Sequence, residues 1–341
     1  MSIKKLQIYP DKIKNIKYLI EGETRITADF KKIAQVFLFL FGLVILFYLI
    51  ISSGIINNLK IFFILNLGYF FLAITFSITN IAIKIYRWHY LSLLFQKPIS
   101  WQDASIITLS SFFYANITPG KIGDLFKAYY MRTKYGLNLL NGISMIFFER
   151  LFEIVILFFC ALLIVSRKID DSTLIILQFT AILIIMLIVF YYKSEWIVNF
   201  LSKVLVKITD NDRFSISFSL QKISPGHVLI VFFITLLSLI CEFVRLWFVV
   251  AAFGFIVNPL DIAIIFSISI IFGLISQIPL GIGVMEGSLS ILLERSGIPI
   301  QYSVPIVLTD RMISMYLVLV VGFIVSHVSW NELRKLTLES P

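Results

Sequence analysis

Residues 278–287 read Ile-Pro-Leu-Gly-Ile-Gly-Val-Met-Glu-Gly, and residues 116–124 read Asn-Ile-Thr-Pro-Gly-Lys-Ile-Gly-Asp. The two stretches share a Pro-x-x-Ile-Gly core: Pro119, Ile122 and Gly123 in one, Pro279, Ile282 and Gly283 in the other. Each follows an apolar run (103–118 and 261–278) and precedes a second, shorter helical stretch. Proline lacks a donor N–H and disfavours helical backbone at the residue before it, so both helices stop there. Broken backbone inside apolar sequence survives at membrane depth only when protein or a polar cavity covers it. The two stretches are therefore expected to be re-entrant hairpins, each an apolar arm, a break and a second arm.

Working outward, composition supplies the membrane. The chain has 341 residues, of which 59% are hydrophobic and 14% charged. Soluble domains run at about 45–50% apolar and about 25% charged. The mean hydropathy is +0.95. A disordered chain and a soluble enzyme are excluded. The net charge of +9 does not indicate a nucleic-acid partner, because the basic residues flank apolar runs instead of clustering on a water-facing domain. Six segments (33–53, 61–86, 141–166, 172–192, 228–252 and 302–328) are long enough to cross about 30 Å of hydrocarbon. The expected fold is an all-α polytopic membrane protein with about six transmembrane helices plus two re-entrant helical hairpins.

Charge placement orients it. Putting both termini on one side places 22 of the 29 Lys and Arg residues there, four opposite, and Arg150, Arg245 and Arg311 inside spans. The positive-inside rule then predicts cytoplasmic termini in a multi-pass protein of the cell membrane. Residues 1–32 are polar and show no cleavable signal. They read as a cytoplasmic segment, 33–330 as the transmembrane domain, 193–226 as a cytoplasmic amphipathic linker and 331–341 as a cytoplasmic tail.

The landmarks recur. Pro98 and Pro259, Pro119 and Pro279, and Glu149-Arg150 and Asp310-Arg311 are each separated by 160 or 161 positions; Arg87-Trp88 and Arg245-x-Trp247 match more loosely. This divides the transmembrane domain into repeats at about 61–166 and 228–328. Three full spans lie between their starts, and an odd number turns the second repeat upside down, a recurrent transporter plan. The spans 33–53 and 172–192 are expected at the periphery.

Buried charge is the second signal. Glu149, Arg150, Glu153, Glu242, Arg245, Asp310 and Arg311 fall in spans, where an Arg or Asp costs about 2.5–3.5 kcal/mol at the centre. Glu149 and Glu153 share a helix face, and Glu242 can pair with Arg245 on its own helix. Adjacent Glu149 and Arg150 point about 100° apart, so the expected pairs cross the repeat axis: Glu149 with Arg311, and Asp310 with Arg150. Such a network either fixes helix register or grips an anionic headgroup, with arginines as the grip and the acids setting selectivity or carrying protons. The breaks add anion-binding potential, because a half-helix starting inside the bundle directs free N–H groups inward. Gly120, Gly123, Gly281 and Gly283 permit close backbone approach. Lys121 adds a full charge where the second repeat has Gly281. Asp124 and Glu286, near the starts of the short helices, are suited to offset the helix dipole.

Other chemistry is not indicated. Cys160 and Cys241 read as buried small hydrophobes, and His89, His227 and His327 are scattered. No metal, cofactor or catalytic residue is expected.

With the motifs Asn116–Asp124, Phe148-Glu-Arg150, Ile278–Gly287 and Asp310-Arg311, residues 33–330 resemble the flippase-like transmembrane region of the lysylphosphatidylglycerol synthase/flippase family. The resemblance implies a lipid-translocating fold with Pro119, Gly120, Gly123, Glu149, Arg150, Pro279, Gly281, Gly283, Glu286 and Arg311 around a central cavity. Full-length synthases of that family carry a soluble aminoacyl-transferase domain after the membrane region. This chain ends 13 residues after Val328, so synthesis of aminoacyl-lipid by that route is not expected. The expected function is translocation of an anionic lipid, a phospholipid or a polyprenyl-phosphate-linked lipid. An ion-coupled small-solute transporter and a membrane subunit of a lipid or glycosyl transferase are the alternatives.

Overall fold

The computed structural model describes residues 36–55, 59–166 and 225–339. The expected 1–32 segment, the 172–192 span and nearly all of the 193–226 linker lie outside the described residues. All regular structure among the described residues is helical.

Helix α1 covers Val36–Ser52. A short 3-10 turn at Leu59–Ile64 leads to α2, Leu67–Leu94. The side chain of Asn66 starts α2 by accepting from the Gly68 and Tyr69 amides, which satisfies donors that the first turn leaves open. Helix α3, Trp101–Ile117, is capped by Ser100 and ends where Thr118 turns extended before Pro119. A 3-10 turn, Pro119–Asp124, forms the first break, and α4 follows as Leu125–Tyr135, closed by left-handed Gly136. Helix α5 runs from Leu139 to Ser166.

The second half repeats the order. Helix α6 covers Pro225–Ala252, and α7 covers Pro259–Ser276, capped by Asn258 with Pro259 in its first turn. The second break is Pro279–Gly281, followed by α8, Val284–Arg295. Helix α9, Ile300–Arg311, passes through a π-turn at Met312–Tyr316 into α10, Leu317–Glu339.

Four of these stretches are long and apolar enough to cross a membrane: Leu67–Leu94, Gly226–Ala252, Pro259–Ser276 and Ile300–Trp330. Large apolar side chains including Phe71, Ile78, Phe233, Leu237, Phe323 and Ile324 face outward. This is a multi-pass helical membrane protein. Pro259–Ser276 is the segment read from sequence as a re-entrant arm.

Three sequence-based boundaries move. The 61–86 span becomes 67–94, because Asn66 caps the helix and residues read as loop stay helical. Arg87, just beyond the expected 61–86 span, is 1% exposed and Trp88 is buried beside it. A charge that hydropathy assigns to water stays inside because carboxylates await it there. The expected tail continues α10 as far as Glu339. The first span is peripheral only on one side. Val36, Phe37, Val44 and Phe47 are exposed, while Gly42 lies so close to the second break that a Cβ there would collide with the Ile282 carbonyl.

Packing brings the two halves together. Helices α2 and α6 share the most extensive contact. Helix α3 packs on α10, α7 packs on α5, and the two breaks touch each other. Each hairpin's first arm thus lies against the last helix of the other half. One apolar core, around Leu246, Phe266 and Leu289, serves the second half. Another, around Trp88, Phe148 and Phe152, serves the first.

Candidate functional site

Both breaks rest on side chain-to-backbone bonds. Thr118 donates its hydroxyl to the Tyr114 carbonyl at 2.7 Å and accepts the Gly123 amide at 2.8 Å. Gly123 packs directly on the backbone of Tyr114 and Ala115, leaving no room for a Cβ. In the second break the Gly283 amide donates to Glu286 Oε2 at 2.7 Å. The expectation of free amides aimed inward is thereby corrected at Gly123 and Gly283, since a hydroxyl and a carboxylate already hold them. Three non-glycine residues here adopt left-handed backbone: Lys121 (φ 56°), Gln277 (φ 56°) and Leu280 (φ 65°). Each such residue costs about 1–2 kcal/mol, strain of a kind that gathers at functional sites.

Between the breaks lies a cavity of about 200 Å³, walled by α2, α3, α5, α6, α7 and the turn after Arg311. Pockets that enclose a whole drug-sized ligand run to about 300–1,000 Å³, so this one suits a headgroup. Gly120, Lys121, Glu149, Arg150, Glu153, Glu242, Arg245, Gly281 and Arg311 line it. Asp310 and Glu286 stand behind, bonded to two of its arginines. Pro119, Gly123, Pro279 and Gly283 shape the breaks but do not line the cavity.

The charges are wired alike in both halves. In the first, Arg87 of α2 holds Glu149 and, at 2.7 Å, Glu153 of α5. Asp124, at the break, holds Arg150 of α5 at 2.7 Å. In the second, Arg245 of α6 holds Asp310 of α9 at 2.8 Å. Glu286, after the break, holds Arg311 at 2.8 Å, and Arg311 also donates to the Leu280 carbonyl. The first half adds Lys127, 2.6 Å from Glu149, and a contact of Arg150 with Glu153 at 2.5 Å.

This corrects the expected pairing. Glu149 does not meet Arg311, and Asp310 does not meet Arg150, because each acid finds an arginine in its own half. Glu242 does not pair with Arg245 on its own helix either. Glu242 instead accepts from Lys84 at 2.6 Å and from Asn80 at 2.9 Å, both across the α2–α6 contact. Ser238 donates to Asn80 at 2.6 Å, and Arg87 donates to Thr235 at 3.2 Å, along the same seam. Sequence reasoning missed Arg87, Lys84 and Lys127. The loose match of Arg87 with Arg245 was the available signal, and Lys84 and Glu242 are separated by the same 158 positions. Asp124 and Glu286 do more than offset a dipole. Asp124 binds Arg150 and the Ser111 hydroxyl, and Glu286 binds Arg311 while capping α8.

A second polar cluster ties the outer ends of α3 and α4, away from the cavity. Asp103 accepts from Ser100 at 3.0 Å, Tyr130 at 2.7 Å, Lys134 at 2.5 Å and from Tyr135. Burial pushes this carboxyl up, but the bonds from Lys134, the two tyrosines and Ser100 outweigh burial and lower it to about 2.

Comparison with known proteins agrees with this architecture. The family model for the lysylphosphatidylglycerol synthase TM region matches residues 33–322. A UPF0104 membrane protein of Methanothermobacter thermautotrophicus is 35% identical over 104 residues, or 30% of this chain and 31% of that relative. That match therefore spans less than a third of the relative's length. A UPF0104 membrane protein of Methanocaldococcus jannaschii is 23% identical over 320 residues, covering 87% of this chain and 94% of its own. By the extent of the family match, the chain belongs to the family of the lysylphosphatidylglycerol synthase transmembrane region.

Proposed function

We propose that the protein is a flippase-like translocator that moves an anionic lipid between leaflets, with the headgroup in the central cavity and the tail in lipid. The reading is carried by one observation: a headgroup-sized cavity between two helix breaks, lined by seven Lys and Arg side chains. Arginine's planar fork matches phosphate oxygens, and arginine is less strongly hydrated than an ammonium. The two halves act as an inverted repeat in this reading, supported by the matched ion-pair wiring and the exchanged packing of α3 on α10 and α7 on α5. Rocking one half against the other would then expose the site alternately. The protein would reside in the cell membrane with both termini cytoplasmic, as the distribution of basic residues favours. Phospholipids and polyprenyl-phosphate-linked lipids are the candidate cargo classes.

The test is reconstitution into vesicles containing a fluorescent lipid in both leaflets, with an external quencher. The expected result is quenching beyond half of the signal for at least one anionic lipid, and loss of this excess in the double variant Arg150→Ala, Arg311→Ala. Rates equal to protein-free vesicles across phospholipids and polyprenyl phosphates would sink the reading. So would full activity in the double variant. Uptake of a solute without lipid movement would replace it with a solute transporter, and chemical conversion of the lipid would replace it with an enzyme.

A further inference from the structure

Among the described residues, every carboxylate of the central cavity but one has both oxygens taken. Glu149 accepts from Arg87 and Lys127, and Glu153 accepts from Arg87 and Arg150. Asp124 accepts from Ser111 and Arg150. Behind the wall, Asp310 takes two bonds from Arg245, and Glu286 is held by Arg311 and the Gly283 amide. Glu242 differs. Its Oε1 accepts from Lys84 and Asn80, while its Oε2 accepts no hydrogen bond among the described residues. That oxygen is not sealed in protein, and Glu242 lines the cavity.

The cation on Glu242 is also the one most easily drawn away. Lys84 has no second carboxylate among the described residues, and its side chain is 24% exposed. An ammonium is a point charge on a flexible stem, whereas an arginine fork is rigid and holds its acid by geometry. The Arg245–Asp310 and Arg311–Glu286 pairs are buried arginine pairs. Glu149 keeps Arg87 even if Lys127 moves. No other charge is free to replace Lys84. On its own helix Glu242 has Arg245, committed to Asp310, and Cys241, a buried thiol. From α5 comes Arg150, committed to Asp124 and Glu153. Lys121, at the first break, forms no ion pair with Glu242. The part of α7 that lines the cavity brings no charge.

Resting on the translocator reading above, we propose that Lys84 and Glu242 form a proton-coupling pair: anionic cargo takes Lys84, and Glu242 then carries one proton across with it. A compact ammonium cannot neutralise an incoming anion and Glu242 together. Two anions meeting at one cation do not both stay ionised, and a desolvated carboxylate without a counter-charge neutralises by taking up a proton. The proton comes from water on the loading side and bonds to Oε2, the oxygen open to the cavity. No bond within the cargo breaks. When the cargo leaves on the far side, Lys84 returns to Glu242 and the proton passes to water there. Cargo and proton therefore move in the same direction. The other acids do not serve in this way, because each keeps an arginine whose fork has donors for acid and anion at once.

The test measures how a lipid probe distributes between leaflets under a proton gradient. The full chain is reconstituted into phosphatidylcholine vesicles carrying a trace of fluorescent phosphatidylglycerol or, in parallel, fluorescent polyprenyl phosphate. The membrane potential is clamped at zero. The two sides are held at about pH 7.5 and about pH 8.5, above the titration of the phosphates themselves. With one proton per cargo molecule, the probe is expected to collect about tenfold in the leaflet facing the alkaline side. This ratio does not depend on which way the protein is inserted. Glu242→Gln is expected to exchange the probe more slowly and to equal amounts in both leaflets, whereas Glu242→Asp, which keeps a carboxylate, retains the unequal distribution. Equal leaflets for the unaltered protein under the gradient, with the probe exchanging, would overturn the coupling. So would an unequal distribution that survives Glu242→Gln. Both results would leave the translocator reading standing, whereas no movement of either probe by the unaltered protein, with or without the gradient, would overturn the two together.

Discussion

Glu149 shows how much a single side chain carries. It is 4% exposed and meets both Arg87 and Lys127. Glu149→Gln keeps the volume but leaves two buried cations short of a counter-charge. Breaking a buried pair in this way costs about 3–5 kcal/mol, so a clear fall in the thermal unfolding midpoint in detergent is expected. Asp310→Asn, which strands Arg245, is expected to cost a similar amount. An unchanged midpoint in both would mean that the network is solvated. Gly283 is the backbone counterpart. Its φ is +79°, and a Cβ would strike the Gly42 carbonyl. Gly283→Ala is therefore expected to destabilise by about 2 kcal/mol or more, from left-handed strain plus overpacking. Stability within about 0.5 kcal/mol of the parent, the range of a neutral surface change, would show that α1 yields there.

These residues also show what could be read in advance. Glu149, Arg150, Asp310 and Arg311 stand out because charge inside an apolar run is improbable without a purpose. Their partners do not stand out. Arg87 and Lys84 lie near the end of an apolar run, where snorkelling to water is the cheaper assumption. Only the fold reveals that Arg87 faces α5 and Lys84 faces α6. The assumption that each acid would reach across the repeat axis failed for a geometric reason: a nearer arginine in the same half already fills each acid.

At the scale of elements, the hairpins and the π-turn position the site. The breaks were legible because Pro and Gly punctuate an apolar run without ambiguity. The π-turn was not, because Met312–Tyr316 contains no residue that signals extra backbone. It lets the chain shift register directly after Arg311, and the Ser77 hydroxyl donates to the Ile313 carbonyl there at 3.4 Å. Deleting Met312 would restore regular helix and turn Arg311 by about 100° relative to α10. Loss of lipid translocation with the protein still inserted is the expected outcome. Retained transport would show that the turn is incidental. Asp103 holds the far end of the first hairpin. Its folded carboxyl, at about 2, lies below the roughly 3.9 of an unfolded Asp. Its stabilisation is therefore complete above about pH 4 and is lost as pH falls towards 2. The midpoint difference between the parent and Asp103→Asn should stay constant from pH 8 to 5 and shrink in more acidic buffer. A difference that vanishes by pH 5 would contradict the bonding described.

At the scale of the whole molecule, similar wiring yields unequal halves. Both use an arginine on the first helix (α2, α6) to hold the acid of an adjacent acid–arginine pair on a later helix (α5, α9), while an acid at or just after the break holds the pair's arginine. Only the first adds Lys121, Lys127 and Glu153 to the cavity wall. Outward-facing apolar side chains surround this polar centre, an arrangement suited to a lipid whose headgroup enters while its tail stays outside. The most direct measurement is a density map of the protein in nanodiscs made with anionic lipid. The expected result is headgroup density between the two breaks, beside Lys121, Arg150 and Arg311. A cavity holding only water or small ions, with lipid confined to the outer apolar surface, would contradict lipid translocation through this site.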